Sequence, residues 1–126
     1  MSIRRVVPDI ASERVDESRE FYVGVLGFKV VMDVGWVTTF ASPTNPTAQL
    51  TIMRSDGSSR LVPQVTVEVA DVDAIHAEAV RRGAEVVYPL TDEPWGVRRF
   101  FLRDPNGAVI NVMCHKSSVA TRHKER

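Results

Sequence analysis

The pattern of apolar and polar residues runs through the same order of elements twice. Alternation with a period of two predicts strands, and apolar residues three and four apart predict helices. The first half reads as a strand, a helix and three strands, at 4–10, 16–26, 28–32, 36–41 and 48–54. The second half reads the same way, with a strand at 62–69, a helix beginning at Asp71, a strand at 85–88 and a hairpin at 95–113. Gly27 and Gly83 follow the two helices, where a residue tolerant of positive φ is common.

The repeated order predicts an α+β fold made of two βαβββ modules, at about 4–54 and 62–116. We expect them to form a single domain over 1–116, in which the strands build a cupped, incomplete β-barrel with the helices outside. The polar segment 55–60 is predicted to be a linker. Residues 117–126 have no apolar period, which predicts a flexible C-terminal tail.

The hairpin at 95–113 has two different faces. Its turn is Asp104–Gly107, in which Asn106 and Gly107 tolerate the positive φ of a two-residue hairpin loop. One face is apolar, and we expect it to pack beneath the second helix: Phe100, Leu102, Ile110 and Val112. The other face carries Arg99, Asn111 and Met113, which suit the lining of a cup better than a core. Alternation favours Arg99 over Arg98 as the arginine that faces the cup.

Composition and charge exclude several classes of partner. The chain of 126 residues has 16 basic and 16 acidic residues, so its charge balance gives no footprint for nucleic acid. No apolar run approaches the ~20 residues that cross a bilayer, so we expect no membrane partner. The single cysteine, Cys114, excludes an internal disulfide and a zinc site built from several cysteines. The start of the chain has no apolar signal core, and with the lone cysteine this predicts a cytoplasmic protein.

Several stretches resemble the vicinal oxygen chelate superfamily, which includes glyoxalase I, extradiol dioxygenases, fosfomycin resistance enzymes and bleomycin resistance proteins. The resemblance covers both modules and rests on three stretches: SREFYVGVLGF at 18–28, VADVDAIHAEAVRRG at 69–83 and FFLRDPNGAVINV at 100–112. Shorter matches resemble the bleomycin-resistance-like subgroup, in the order PDIAS at 8–12, FY at 21–22, DVGW at 33–36 and EPWG at 93–96. The resemblance implies the fold, whereas function requires a separate argument from the site.

The metal-dependent members of this superfamily carry His or Gln on the first strand of each module and Glu on the last. The matching positions here hold Gln64 on the first strand of the second module, Asn111 on its last strand and Gln49 on the last strand of the first module. The first strand of the first module offers Arg5 and Val7, which are not ligands. Neutral amides alone are poor anchors for a divalent first-row metal, so we expect no metal and no cofactor.

Two tryptophans match positions that lie at the mouth of the cup in similar proteins. Trp36 and Trp95 are therefore predicted to stack on a flat ligand, although packing in a core or a dimer would equally account for them. The complete predicted ligand-binding set is Trp36, Gln49, Gln64, Thr66, Trp95, Arg99, Asn111 and Met113. Acids at the rim, namely Asp33, Asp92 and Glu93, would attract a cationic ligand.

Two functions follow from these residues, and a third interpretation is a dimer that binds no ligand. In the first, the chain is a metal-free homodimer that resembles bleomycin resistance proteins and sequesters a small aromatic or antibiotic-like organic molecule where two subunits meet. In the second, it is a glyoxalase-like lyase or isomerase, or a dioxygenase, with an atypical metal site or with none. A metal-free enzyme would use Arg99 or Glu68 as its acid–base or electrostatic group. The neutral amides favour binding over catalysis, and no catalytic residue is assigned.

Overall fold

The computed structural model describes residues 2–54 and 61–116. The predicted linker at 55–60 and the predicted tail at 117–126 lie outside these described residues. Eight strands are present there: β1 (Ile3–Ala11), β2 (Lys29–Asp33), β3 (Val37–Ala41), β4 (Gln49–Met53), β5 (Val65–Val69), β6 (Glu85–Asp92), β7 (Val97–Arg103) and β8 (Val109–His115). The helices are α1 (Val15–Arg19), which continues as a π-helical segment (Glu20–Val25), and α2 (Val72–Arg81).

The predicted α+β class is confirmed, because the strands form one mixed sheet in the order β2-β3-β4-β1-β5-β8-β7-β6. The described residues divide into two compact units. A first unit comprises 7–54 and 61–65, and a second unit comprises 2–6 and 66–116. Strand β1 contributes its start to the second unit and its end to the first. In the part of the chain that the structure describes, no helix is long and apolar enough to span a membrane.

The first unit pairs β2 with β3 and β3 with β4 antiparallel, and β4 with the end of β1 parallel. Its aromatic packing centres on Tyr22 in the π-helical segment. The Tyr22 ring lies 5.5 Å from the ring of Phe40 on β3 and 6.0 Å from that of Phe28, measured between centroids. These ring contacts pack the first helix against the sheet, and they use the aromatic residues of the FY and LGF stretches.

The second unit packs α2 on one face of its strands. Asp71 caps this helix by accepting a hydrogen bond from the Ala74 backbone N–H at 3.1 Å. The buried cluster beneath α2 contains Val69, Val72, Phe100, Val112 and Cys114, with Leu102 and Ile110 packed against it. The predicted placement of the apolar face of the hairpin beneath the second helix is therefore confirmed.

Two local predictions are wrong. The sequence predicted a strand at 85–88 followed by a loop at 89–94, whereas strand β6 continues to Asp92, with register shifts on either side of Tyr88. Pro89 lies within β6. A proline is tolerated there because β6 is the edge strand of the sheet, so the missing backbone N–H need not break a hydrogen bond to a neighbouring strand. The hairpin turn also has five residues rather than two, since Arg103 pairs with Val109. Gly107 alone takes a positive φ within it, at 85°.

Candidate functional site

The candidate site lies on the face of the second unit that is opposite to α2, called here the distal face. Strand alternation places side chains there from three neighbouring strands: Thr66 and Glu68 on β5, Asn111 and Met113 on β8, and Arg99 and Phe101 on β7. The strand register joins them, because Arg99 pairs with Met113 and Phe101 pairs with Asn111. Four of the predicted binding residues, Thr66, Arg99, Asn111 and Met113, are therefore brought together on one face. Their roles in binding remain predictions.

A buried ion pair dominates the distal face. Arg99 is only 2% exposed, and its Nε donates to the Glu93 carboxylate at 2.7 Å. Glu93 is also buried and accepts a second hydrogen bond from the Tyr88 hydroxyl at 2.7 Å. A charge removed from water requires a partner of opposite charge, and each member of the pair supplies it to the other. The sequence indicated Arg99, but it placed Glu93 at the rim and missed Tyr88.

Three aromatic rings surround the Arg99 guanidinium. Its Cζ lies 5.1 Å from the ring centroid of Tyr88, 5.0 Å from that of Trp95 and 4.8 Å from that of Phe101. These distances are within the range of cation–π attraction. Of the three rings, Trp95 is the exposed one, at 38%. The Arg99 guanidinium thus packs against the Trp95 indole, and part of that indole stays accessible to solvent.

The turn between β6 and β7 fixes the backbone beside Trp95. The Glu93 N–H donates to the Val97 carbonyl at 2.8 Å, and the Gly96 N–H donates to the Glu93 carbonyl at 3.1 Å. Gly96 adopts φ of 92°, a conformation that side chains disfavour. The EPWG stretch is therefore a tight turn that carries the acid inward and the tryptophan outward.

Arg98 points away from the distal face. Its guanidinium bonds Asp73 on α2 at 2.8 Å and Asp92 on β6 at 3.1 Å. These carboxylates hold the pKa of Arg98 above its ordinary value, with Asp73 contributing most. The two adjacent arginines thus lie on opposite faces of β7. Arg98 belongs to a partly exposed ion-pair network, and Arg99 is buried.

Asn111 and Thr66 form a second polar pair on the distal face. The Asn111 Nδ2 donates to the Thr66 hydroxyl at 3.1 Å. Asn111 is 8% exposed, and its amide oxygen has no hydrogen-bond partner within the described residues. A buried unpaired carbonyl costs free energy, so this oxygen is a polar group of the distal face that still has an accepting position.

Glu68 is held by an arginine that the sequence did not connect with it. Arg5 on β1 donates to Glu68 at 2.5 Å, and His115 Nε2 lies 3.9 Å from the same carboxylate. The Glu68 side chain is 14% exposed. Residues 63 positions apart in the chain meet here, and no local sequence pattern could indicate that pairing.

The other predicted binding residues belong to the first unit. Trp36 precedes β3, and its carbonyl accepts from the Arg54 N–H at 3.0 Å. Gln49 begins β4, where its Nε2 donates to the Pro46 carbonyl. The β3–β4 register pairs Val37 with Met53 and Ala41 with Gln49, so Trp36 and Gln49 lie at opposite ends of this hairpin. Gln64 precedes β5 and is exposed. The structure does not bring Trp36 and Gln49 together.

Two cavities in the first unit lie beside α1 and contain none of the predicted binding residues. One, of about 360 Å³, is lined by charged residues that include Glu13, Arg19 and Asp33. The other, of about 320 Å³, is lined by residues that include Ser18 and Tyr22. Asp33 bonds Arg19 and accepts from the Gly35 N–H, and these hydrogen bonds, the Gly35 bond foremost, lower the pKa of Asp33.

A protein-family model matches residues 3–112 of the chain, and its description is the Glyoxalase/Bleomycin resistance protein/Dioxygenase superfamily. The chain belongs to this superfamily. The match covers both halves of the sequence, in agreement with the resemblance seen in the separate stretches. No curated protein matches the chain by sequence.

Solved structures support the superfamily fold. A Vibrio splendidus 12B01 glyoxalase/bleomycin resistance protein/dioxygenase superfamily member is 16% identical with a TM-score of 0.68, over 90% of this chain and 99% of that one. A variant of methylmalonyl-CoA epimerase from Streptomyces coelicolor is 22% identical with a TM-score of 0.68, over the same shares. A Legionella pneumophila structure described as NAD-dependent benzaldehyde dehydrogenase is 18% identical with a TM-score of 0.72, over 88% of this chain and 99% of that one. At these identities the similarity establishes the fold alone.

The donor groups do not fit the metal that enzymes of the superfamily use. Asn111, which the resemblance matches to the Glu of metal-dependent members, has its amide nitrogen already bonded to Thr66. Gln49 is bonded within its own loop. Among residues 2–54 and 61–116, no three His, Cys, Asp or Glu side chains cluster so that they could hold a metal ion. Neutral amides bind first-row divalent ions weakly, so these side chains are poor anchors for such a metal.

Proposed function

We propose that this superfamily member is a metal-independent binding protein that sequesters a small aromatic or antibiotic-like molecule. The ligand lies on the distal face of the second unit, stacked on Trp95, in a cleft that a second copy of the chain completes. The observation that carries the proposal is the exposed part of the Trp95 indole, supported by buried Arg99. A partly exposed aromatic beside a few polar groups is typical of sites for small organic molecules.

Asn111 supplies the polar contact of this proposed site. Its unpaired amide oxygen is buried when no ligand is bound, and it accepts a hydrogen bond from an N–H or O–H group of a ligand that displaces the side chains covering it, while Thr66 holds the amide in place. If the amide is turned the other way, its nitrogen faces the ligand instead and donates. In either orientation, Thr66 bonds one polar atom of the amide, and the other has no partner among the described residues.

Binding is tested by titrating the protein with bleomycin and a panel of fused-ring compounds, with calorimetry as the measurement. We expect Trp95→Ala to weaken binding of any hit at least about tenfold, the loss of roughly 1.4 kcal/mol of stacking. Trp36→Ala is measured beside it, because the sequence also predicted Trp36 to stack on a ligand; an equal loss of affinity would place both tryptophans in the site, whereas unchanged affinity would limit stacking to Trp95. Equal affinity in wild type and Trp95→Ala would remove the support for this site.

Native mass spectrometry of the protein as expressed reports retained ligand and metal, and a stoichiometric metal ion that survives dialysis contradicts the metal-independent proposal.

One observation favours a second candidate, a metal-free enzyme of the superfamily. Glu68 is a largely buried carboxylate that bonds Arg5 through one oxygen and lies beside His115 through the other, and this second oxygen can accept a proton from a bound substrate. This candidate predicts that a hit from the panel is converted to product and that Glu68→Gln abolishes turnover while binding persists. Recovery of every hit unchanged after prolonged incubation favours binding alone.

A further inference from the structure

We propose that the larger cavity beside α1, called here the charged cavity, binds a free basic amino acid in its zwitterionic form. This inference concerns a second site and goes beyond the proposed function, because no residue of the distal face takes part in it. The cavity has a volume of about 360 Å³, which is within the range of cavities that hold small organic ligands. Its charged lining residues all belong to the first unit: Glu13, Asp16, Arg19, Asp33 and Arg54.

Three parts of the first unit form the walls of the charged cavity. Glu13 precedes α1, and Asp16 lies in the first turn of that helix. Asp33 ends β2, and Arg54 follows β4. The backbone N–H of Arg54 donates to the Trp36 carbonyl at 3.0 Å, so the end of β4 is held beside the turn that follows β2. The acids and the arginine therefore reach the cavity from different elements.

Arg19 and Asp33 neutralise each other on one wall of the cavity. Arg19 bonds one carboxylate oxygen of Asp33, and the Gly35 N–H donates to the other oxygen at 3.0 Å. Both oxygens of Asp33 are therefore engaged, and the pair has no net charge. It supplies a fixed polar wall rather than a charge that a ligand must match.

Three other charged side chains at the cavity have no partner among the described residues. Glu13, Asp16 and Arg54 form no side-chain hydrogen bond or ion pair there. All three are exposed, so each can contact a molecule in the cavity while the core stays as it is. Together they present two negative charges and one positive charge. The complementary ligand carries two positive charges and one negative charge, which is the pattern of a basic amino acid at neutral pH.

This pattern distinguishes the ligand from simpler ions. A metal ion is not favoured, because the described part of the chain contains no cluster of three His, Cys, Asp or Glu side chains that could hold one. An organic cation without a carboxylate would leave Arg54 without a ligand contact, and a simple anion would be repelled by Glu13 and Asp16. A ligand carboxylate can instead accept two parallel N–H bonds from the Arg54 guanidinium, while its two cationic groups donate to the acids.

The test is calorimetric titration at low ionic strength, where charge pairing is least screened. The probes are L-arginine, agmatine, which lacks the carboxylate, and L-citrulline, which has an uncharged group in place of the guanidinium. We expect L-arginine to bind saturably. Agmatine and L-citrulline should each bind about fivefold more weakly, because each loses one partly exposed ion pair.

Variants of the lining residues assign each charge. Arg54→Met should remove the advantage of L-arginine over agmatine. Glu13→Gln combined with Asp16→Asn should remove its advantage over L-citrulline. Lys29→Met and Glu20→Gln are the matched controls, because both residues are exposed charges of the first unit that do not line the cavity. Both controls should leave the three affinities unchanged.

No saturable binding of L-arginine overturns the inference, as does equal or tighter binding of agmatine by the wild type. Control variants that weaken binding as much as the cavity variants also overturn it, because a diffuse surface charge would then account for the effect. The aromatic panel for the proposed function is titrated separately, so either proposal can fail while the other stands.

Discussion

Arg98 and Arg99 show how one position along a strand changes the energetics of the same side chain. Arg98 is partly exposed and shares its charge with two surface carboxylates. Arg99 is buried, bonds the Glu93 carboxylate and lies within cation–π distance of three rings. Exposed ion pairs contribute little because water screens them, whereas a buried charge left without its partner is costly.

Stability measurements should separate these two arginines. Arg99→Met leaves Glu93 buried without its cation, and we expect a loss of about 3 kcal/mol in the free energy of unfolding. Arg98→Met should cost about 0–1 kcal/mol. Urea denaturation followed by circular dichroism is the measurement.

A partner substitution identifies the cause of the Arg99 effect. Adding Glu93→Gln to Arg99→Met removes the unpaired charge, so it should recover a substantial part of the lost stability. If the double variant is no more stable than Arg99→Met, lost packing against the aromatic rings explains the effect instead.

Burial lowers the reactivity of the Cys114 thiol. It lies in the cluster beneath α2, and burial raises the pKa of its thiol. The thiolate is the reactive form, so this cysteine is a small apolar side chain in the core rather than a nucleophile.

At the scale of elements, the β7–β8 hairpin depends on one aspartate. The Asp104 Oδ1 accepts from the Asn106 N–H at 2.8 Å and from the Ala108 N–H at 2.9 Å. These hydrogen bonds, the one from Ala108 foremost, lower the pKa of Asp104. The carboxylate therefore organises a five-residue turn for which the sequence suggested a shorter loop.

The pH dependence of this turn has a definite sign. Because the folded pKa of Asp104 lies below its unfolded value, the stabilisation is complete above the unfolded pKa and disappears as the pH falls through the folded one. Asp104→Asn should therefore lower the urea midpoint at neutral pH, and its difference from wild type should shrink below about pH 4. Glu13→Gln is the control, since Glu13 is exposed and has no hydrogen bond or ion pair among the described residues. A difference that is constant with pH would contradict this account.

At the scale of the whole molecule, the two units share one topology. Within the first unit the strands are ordered β2-β3-β4-β1, and within the second unit the corresponding order is β6-β7-β8-β5. Their helices differ, because α1 is short and continues as a π-helical segment whereas α2 is regular over ten residues. The strands of the two units thus repeat the predicted βαβββ order closely, whereas their helices differ in length and type.

The proposed cleft requires a second copy of the chain. We expect light scattering after size-exclusion chromatography to give twice the mass of one chain. Several large apolar side chains of the described residues are exposed, among them Val6, Phe21, Leu26 and Val34, and burial of such surface drives association. A mass of one chain at micromolar concentration would contradict the dimer and leave the proposed Trp95 site open to separate testing.

The sequence by itself determined the class of fold, the order of elements and the two faces of the hairpin. These features depend on periodicity, glycine positions and turn residues, which act over a few neighbouring positions. It also indicated correctly that Phe100 and Val112 pack beneath the second helix.

Only the tertiary structure decided which side chains meet. Glu93 is buried because a tight turn brings it to Arg99. Arg5 on β1 bonds Glu68 on the neighbouring strand β5. The register shifts in β6 concealed Tyr88 from any simple alternation. Such contacts depend on long-range strand pairing, and a charge in the interior is compatible with folding only where that pairing supplies its partner. The environment of Trp95 therefore could not be derived from the sequence pattern.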